Sequence, residues 1–283
     1  MHQRWPAELT LLVTSFRLKT VHFIKMIGIN KLVFTHCYFV IYIADSVIKI
    51  SRTLAMKPKL LLYPNIQVEN VFAKETEILA QLQKGELNEA LILWQPERPT
   101  LVLPSGNKWQ SSEELLQQLM QMGWQLFSRK TGGAPVPQVP GVINVSHMYV
   151  WDEQTPYSIP KAYQDFCDKL SAFFKLYDIN VDVHATPNSY CDGDYNLNIE
   201  GKKVVGTAQR VVLKQGGGKV VLAQACILID VEIEAIISPV NLCYTHHHQE
   251  ERVSAQVHTC LVEKVSHEGS VESYFQNLIK VFS

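Results

Sequence analysis

"YNLNIEGKKVVGTAQR", residues 195–210, decides the fold. Apolar and polar residues alternate on both sides of Glu200-Gly201, a two-residue turn signal between two strands. Strict alternation sets Lys203, Val205 and Thr207 on one face of the second strand, and Lys202, Val204 and Gly206 on the other. Taken alone, Lys203 reads as an edge residue that snorkels to water. The small side chains of Gly206, Thr207 and Ala208 beside it leave room for a substrate, which turns the reading toward a site.

The hairpin continues through "KQGGGK" (214–219) into a third strand, "VVLAQACILID" (220–230). Upstream, "KLLLYP" (59–64), "EALILWQ" (89–95), "TLVLPSG" (100–106), "WQLFSRK" (124–130) and "VINVSHMYVW" (142–151) read as further strands. "VENVFAKETEILAQLQKG" (68–85) reads as a helix with Val71, Ile78 and Leu82 on one side and Gly85 as its stop. "SSEELLQQLMQMG" (111–123) carries a Ser cap, early Glu residues and a terminal Gly123. "PKAYQDFCDKLSAFFKLYD" (160–178) opens on Pro160, and "SVESYFQNLIKVF" (270–282) closes the chain. With no internal repeat and no low-complexity linker after residue 56, this order predicts a single α+β domain, a mixed and largely antiparallel sheet flanked by helices.

The chain has 283 residues, enough to bury a substantial core. Its 26 basic and 27 acidic residues give a net charge of −1, so no global field points to nucleic acid. The six cysteines (Cys37, Cys167, Cys191, Cys226, Cys243, Cys260) are scattered without a CxxC pair. That pattern argues for a reducing compartment and against a zinc site or disulfide framework, and the expected location is cytoplasmic.

Residues 1–55 differ, with seven basic residues against two acidic ones. Their apolar run "LVFTHCYFVIYIA" (32–44) spans 13 residues, where a membrane-spanning helix needs about 20. An anchor helix, a targeting segment and translated upstream sequence remain open. The last is preferred, because Met56 opens a coherent domain; 1–55 is expected to lie outside the fold and 56–283 to form it.

Two tempting motifs fail. "GGGK" (216–219) has Leu213 where a phosphate loop needs its first Gly, and Val220 where Ser or Thr must follow Lys219; a glycine-rich turn explains it. The consecutive histidines 246–248 cannot converge on one ion from regular structure and lack a standard partner spacing, so they read as a solvated polar loop. "RKTGGAPVPQVPG" (129–141) is richer: Gly132 and Gly133 permit close backbone approach to a ligand, and Pro135, Pro137 and Pro140 stiffen the segment after the glycines. Alone it is a rigid surface loop.

Together, "RKTGGAPVPQVPGVINVS" and "YNLNIEGKKVVGTAQR" resemble the two signature segments of the lipoate-protein ligase and octanoyltransferase family. That family reads approximately R-R-x-x-G-G-G-x-V-x-H-x-x-G-x-x-N and N-D-I-x-x-x-G-x-K-I-x-G-x-A. Arg129, Gly132, Gly133, Val136, Gly141 and Asn144 match the first segment. Asn196, Gly201, Lys203, Gly206 and Ala208 match or approximate the second. The resemblance covers roughly residues 57–240. Ala134 replaces the third glycine, Gln138 the histidine and Asn196 the aspartate; Gln224-Ala225 stands where a His-Gly pair is common. The family's larger ligases also carry an accessory C-terminal domain, for which this chain has no room.

The resemblance implies a fold related to the biotin-ligase and class II synthetase catalytic domains, and transfer of a lipoyl or octanoyl group to a lysine of a lipoyl carrier domain. The carriers it implies are of the 2-oxoacid dehydrogenase E2 or glycine cleavage H protein type, with acyl carrier protein as a further donor. Lys203 would stabilise the acyl or adenylate oxygen. Arg129, Gly132, Gly133, Asn144, Asn196, Gly206, Thr207 and Ala208 would bind the acyl group or adenylate. A ligase would use ATP and Mg, with no tightly bound metal. Some family members instead form an acyl-thioester on a cysteine shortly before the lysine strand; Cys191 occupies that place, and Lys203 would favour its thiolate. A non-catalytic acyl-binding relative is the third alternative.

Overall fold

The computed structural model describes residues 58–283 except 131, 152, 153, 267 and 268, together with three strands near the N-terminus. The chain divides into two units, Met1–Met56 and Lys57–Ser283. In the first, β1 (Ile29–Phe34), β2 (Tyr38–Ile43) and β3 (Ser46–Ser51) form an antiparallel sheet. The described parts of the apolar run 32–44 are therefore strand and not an anchor helix, in keeping with its β-branched and aromatic content. Among the described residues no helix is long and apolar enough to cross a membrane. His36 and the boundary at Met56, on which the targeting and upstream-sequence readings turn, lie outside the described residues.

The second unit is built on a seven-stranded sheet. Its order is β10 (Asp182–Val183), β11 (Leu197–Ile199), β12 (Lys202–Leu213), β13 (Lys219–Leu228), β9 (Val142–Val150), β5 (Glu89–Pro96) and β4 (Lys59–Ile66). Only β4 and β5 pair in parallel, so the sheet is mixed and largely antiparallel as expected. Helix α1 (Val68–Gln83) buries Val68, Val71, Ile78, Leu79 and Leu82 with Ile92, Trp94, Met148 and Leu222 on one face. Helices α3 (Ile159–Lys175) and α5 (Val271–Phe282) bury Phe166, Leu170, Phe173, Phe275 and Leu278 with Leu93, Val145 and Ala225 on the other. Alternation along β5, β9 and β13 thus feeds two cores from one sheet.

A smaller sheet, ordered β7 (Gln125–Ser128), β6 (Thr100–Leu103) and β8 (Val136–Gln138), packs with α2 (Glu113–Gln121) and α4 (Ile233–His246). Ser112 caps α2 by accepting from Leu115 N at 3.1 Å. Two readings change here. The proline-stiffened loop contains β8, because Pro137 sits on an edge strand where a missing N–H is tolerated. The triple histidine is not a solvated loop. His246 ends α4 and bonds Ser112 Oγ at 2.8 Å, while His247 Nε2 lies 2.8 Å from Gln110 O. Helix α4 is apolar on much of its surface and carries Pro239 within it, which conceals its period. The glycine turn is as expected, with Gly216, Gly217 and Gly218 all at positive φ between β12 and β13.

Candidate active site

The turn at Glu200-Gly201 has φ of 52° and 76°, the left-handed pair that closes a two-residue hairpin. The register shifts immediately beyond it: Lys203 opposes Asn198, whereas Val205 opposes Leu197. This bulge puts both Val204 and Val205 into the apolar core and reverses the alternation after them. Lys203 consequently shares a face with Gly206, not with Thr207. A Cβ on Gly206 would lie 3.2 Å from Lys203 Cε and 3.3 Å from Nζ. Thr207 points the other way, its hydroxyl donating to Tyr195 O at 2.7 Å. Lys202 is exposed, as alternation required.

Lys203 is fully buried. Its ammonium donates to the main-chain carbonyls of Tyr190 and of Cys191, the latter at 3.0 Å, and stands 4.3 Å from the Tyr190 ring centroid. Burial pulls its pKa down from 10.5 to about 8, against the favourable fields of Cys191 and Cys226. Tyr190 is sandwiched from behind by His258, stacked at 5.0 Å and 8°. Burial, then the nearby Lys203 charge, lowers His258 to about 4, so that ring is neutral.

Cys191 holds the left-handed backbone conformation, φ 52°, unusual for a residue with a side chain. Three donors grip its carbonyl: Lys203 Nζ, Asn196 Nδ2 at 3.1 Å and Gly193 N at 2.9 Å. Across from it, the half-buried Arg129 donates to Gly132 O at 3.0 Å, and burial lowers its pKa, with Cys191 among the groups opposing that shift. Gly133, φ 118°, is the close approach. A Cβ there would meet Arg129 Nη2 at 3.0 Å and Cys191 Sγ at 3.6 Å.

These groups surround a slot lined by Cys191, Arg129, Gly206, Thr207 and Ala208, with Trp94, Phe72 and Val136 as apolar walls. Asn144 lies within it, joined to Gln138 by two reciprocal amide bonds of 2.8 and 2.9 Å. Gln138, which reads in the sequence as a departure from the family histidine, is thus the partner that holds Asn144. Lys203 lies beneath the slot and Asn196 behind the Cys191 turn; Gly132 contributes its carbonyl to Arg129. A second thiol, Cys226, also reaches the slot, but burial pushes it up to about 11 and leaves it a weak nucleophile.

One buried residue escapes the motifs. Glu75 of α1 accepts from Ser146 Oγ and from Gln224 Nε2, at 3.0 Å to one carboxylate oxygen and 2.9 Å to the other. Burial raises its pKa from 4.5 to about 7 against these bonds and the Arg129 charge. The only sequence signal was a glutamate inside the apolar stripe of a helix. It also borders a neighbouring pocket with Arg129, Lys130 and Arg210. Among the described residues no three His, Cys, Asp or Glu side chains gather where they would hold a metal ion.

Residues 67–283 match the lipoyl protein ligase A/B catalytic domain. The chain belongs to this family. The match runs to the last residue and so takes in α4 and α5, beyond the roughly 57–240 carried by the two signature segments. An octanoyl-[GcvH]:protein N-octanoyltransferase of Geobacillus kaustophilus (strain HTA426) is 26% identical over 164 residues, 58% of this chain and 56% of that protein. The chain spans about half the length of the curated relatives it matches. In fold it is similar to a lipoate-protein ligase A solved with ATP, with TM-score 0.64, 18% identity, and coverage of 81% of this chain and 85% of that one. It is also similar to part of a bi-partite lipoate protein ligase, studied with its E2 lipoyl domain, from Thermoplasma acidophilum. There the TM-score is 0.59 and the identity 17%, with 81% of this chain and 83% of that one covered.

Proposed function

We propose that this protein carries a lipoyl- or octanoyl-type acyl group as a thioester on Cys191 and passes it to a lysine of a lipoyl carrier domain. The observation that carries this reading is the Cys191 turn: a thiol in a left-handed conformation at the mouth of a largely apolar slot, its carbonyl held by a buried cation. The thiolate attacks the acyl carbon of the donor; a sulfur–carbon bond forms, the donor's bond to that carbon breaks, and the departing group takes the thiol's proton. A carrier lysine amine then attacks the thioester. A nitrogen–carbon bond forms, the Cys191 sulfur–carbon bond breaks, and the amine's surplus proton returns to sulfur. Lys203 keeps the turn in place and puts positive charge near the oxygen that becomes negative in both steps. Gly133 keeps the thiol approachable, and Trp94, Phe72 and Ala208 shelter the acyl chain. The curated relative named above, an octanoyl-[GcvH]:protein N-octanoyltransferase, supports this choice.

ATP-dependent ligation is the second reading. Arg129, Lys130 and Arg210 line the pocket beside the slot together with Glu69 and Glu75, and the two guanidinium groups are of the kind that pair with phosphate. ATP would supply activation of a free acid; any Mg would be held mainly by phosphate oxygens. The deciding experiment incubates the protein with an octanoylated lipoyl domain or octanoyl-carrier protein, without ATP, and reads intact mass and transfer to a fresh lipoyl domain. A thioester adduct on Cys191 with ATP-independent transfer is the expected result. Transfer that requires lipoate and ATP, with no adduct, selects the ligase. Bound acyl without transfer selects a non-catalytic relative.

A further inference from the structure

The segment 253–261 follows α4 and lies beyond both signature segments, yet it meets the site at two points. Ser254 N donates to Asn188 O at 2.9 Å, at the start of the loop that carries Tyr190 and Cys191. Thr259 N donates to Lys203 O at 3.0 Å, and His258 forms a parallel bridge with Lys203. Between these anchors His258 is buried, its ring nearly parallel to that of Tyr190 at 5.0 Å and 8°. A carbonyl only accepts, so the 2.8 Å contact between His258 Nδ1 and Ser254 O puts a ring proton on Nδ1 and fixes the plane of the ring. Burial first, and the Lys203 charge second, lower the His258 pKa to about 4, so the ring is neutral.

An uncharged plane therefore backs the aromatic ring that the Lys203 ammonium approaches to 4.3 Å. A second cation in that place would repel the first through a poorly screened interior. The ring and the carbonyl of Tyr190 share one Cα, so a ring free to tilt disturbs the Tyr190 and Cys191 carbonyls that accept from Lys203. His258 does not line the slot, so its route to the reaction runs through these neighbours. We propose that His258 is a positioning residue for acyl transfer: its ring, stacked on Tyr190, steadies the loop whose carbonyls hold the Lys203 ammonium beside Cys191. The inference rests on the acyl-transfer reading and adds to it a residue from outside the motifs.

The test compares His258→Leu with His258→Phe. Both lose the Ser254 bond and keep the space filled with hydrocarbon, so their melting temperatures should move together; only phenylalanine keeps a plane against Tyr190. His258→Met, flexible and of similar volume, replaces the leucine variant if that one does not fold. The rate of Cys191 adduct formation from an octanoylated lipoyl domain is read by intact mass, and octanoate binding by calorimetry. His258→Leu should load several-fold more slowly than wild type with octanoate binding unchanged, because a misplaced positioning group slows the chemical step. His258→Phe should restore most of the rate. Wild-type loading in His258→Leu overturns the inference, as does equal loss in the two variants or a loss that merely follows melting temperature. If the wild type forms no adduct and transfers only with lipoate and ATP, the thioester reading fails, and the same pair compared on that ligation decides the role of His258 on the same terms. A wild type that binds octanoate and transfers nothing overturns both.

Discussion

Lys203 Nζ lies 3.0 Å from the main-chain carbonyl of Cys191, so the buried cation of β12 and the thiol-bearing turn form one mechanical unit. The ammonium does two things at once: it holds an unfavourable backbone conformation and it places charge below the slot. Lys203→Ala should cut transfer on the order of 100- to 1,000-fold, the usual loss for a fixed electrostatic donor. Lys203→Met, which keeps most of the volume, should lose as much while folding. Lys202→Ala, on the solvent side, should stay close to wild type. Steady-state transfer rates with thermal melts as the folding check decide it; equal loss in the Lys202 and Lys203 variants would refute the assignment.

Cys191→Ser separates the two chemistries. A serine hydroxyl without a dedicated base is a far poorer nucleophile than a thiolate at neutral pH. Transfer should vanish while Lys203, Asn196 and the fold are retained, and the thioester mass adduct should disappear with it. A variant that keeps most of the activity and needs ATP would place the protein among the ligases.

Glu75 makes stability fall as pH rises. Its carboxyl titrates near 4.5 unfolded and near 7 in the folded protein. Between those values the folded state keeps a proton that the unfolded state has released, so the stability present below about 4.5 is lost progressively up to about 7. The loss is on the order of 3 kcal/mol, from the size of the shift. Glu75→Gln removes the titration while keeping an acceptor for Gln224. Its stability relative to wild type should therefore climb across that window and level off above it, measured by urea unfolding. A pH-independent difference would show that Glu75 does not titrate there.

Much of this was legible in the sequence. The hairpin turn, the helices with caps and glycine stops, and the largely antiparallel order all follow from local signals. The faces of β12 did not, because a bulge between Lys203 and Val205 reverses the alternation, and no residue type announces it. Helix α4 and strand β8 were hidden for a related reason: Pro239 and Pro137 are breakers that tertiary context tolerates. At the site, Lys203 and Cys191 stand out because rare chemistry sits beside small residues. Glu75 acts only through partners distant in sequence, Ser146 and Gln224; Gln138 meets Asn144 six residues on, across the turn from β8 to β9, and both pairings exist only in the folded chain.

Removal of residues 1–55 should leave transfer and melting temperature unchanged. The composition breaks at that point, and the family match begins at residue 67. Side-by-side melts and transfer rates of the full and shortened chains check this. Loss of soluble folded protein on truncation would show that the extension supports the domain.

Gly206 offers the sharpest test of the bulge. Gly206→Ala adds one methyl 3.2 Å from Lys203 Cε and 3.3 Å from Nζ, tight enough that the flexible end of the lysine must move rather than the backbone. The ammonium then shifts by a few tenths of an ångström against the Tyr190 and Cys191 carbonyls. Because Lys203 is the end of a side chain, the fold should survive with a small change in melting temperature. Transfer should fall several-fold, since a misplaced positioning group slows the chemical step. Strict alternation predicts the opposite, with Gly206 facing away from Lys203 and the methyl harmless to activity. Thr207→Ala is the matched control: its hydroxyl meets Tyr195 on the far face, so it should disturb the lysine less than Gly206→Ala. If the Thr207 variant loses transfer and the Gly206 variant does not, the bulged register is wrong.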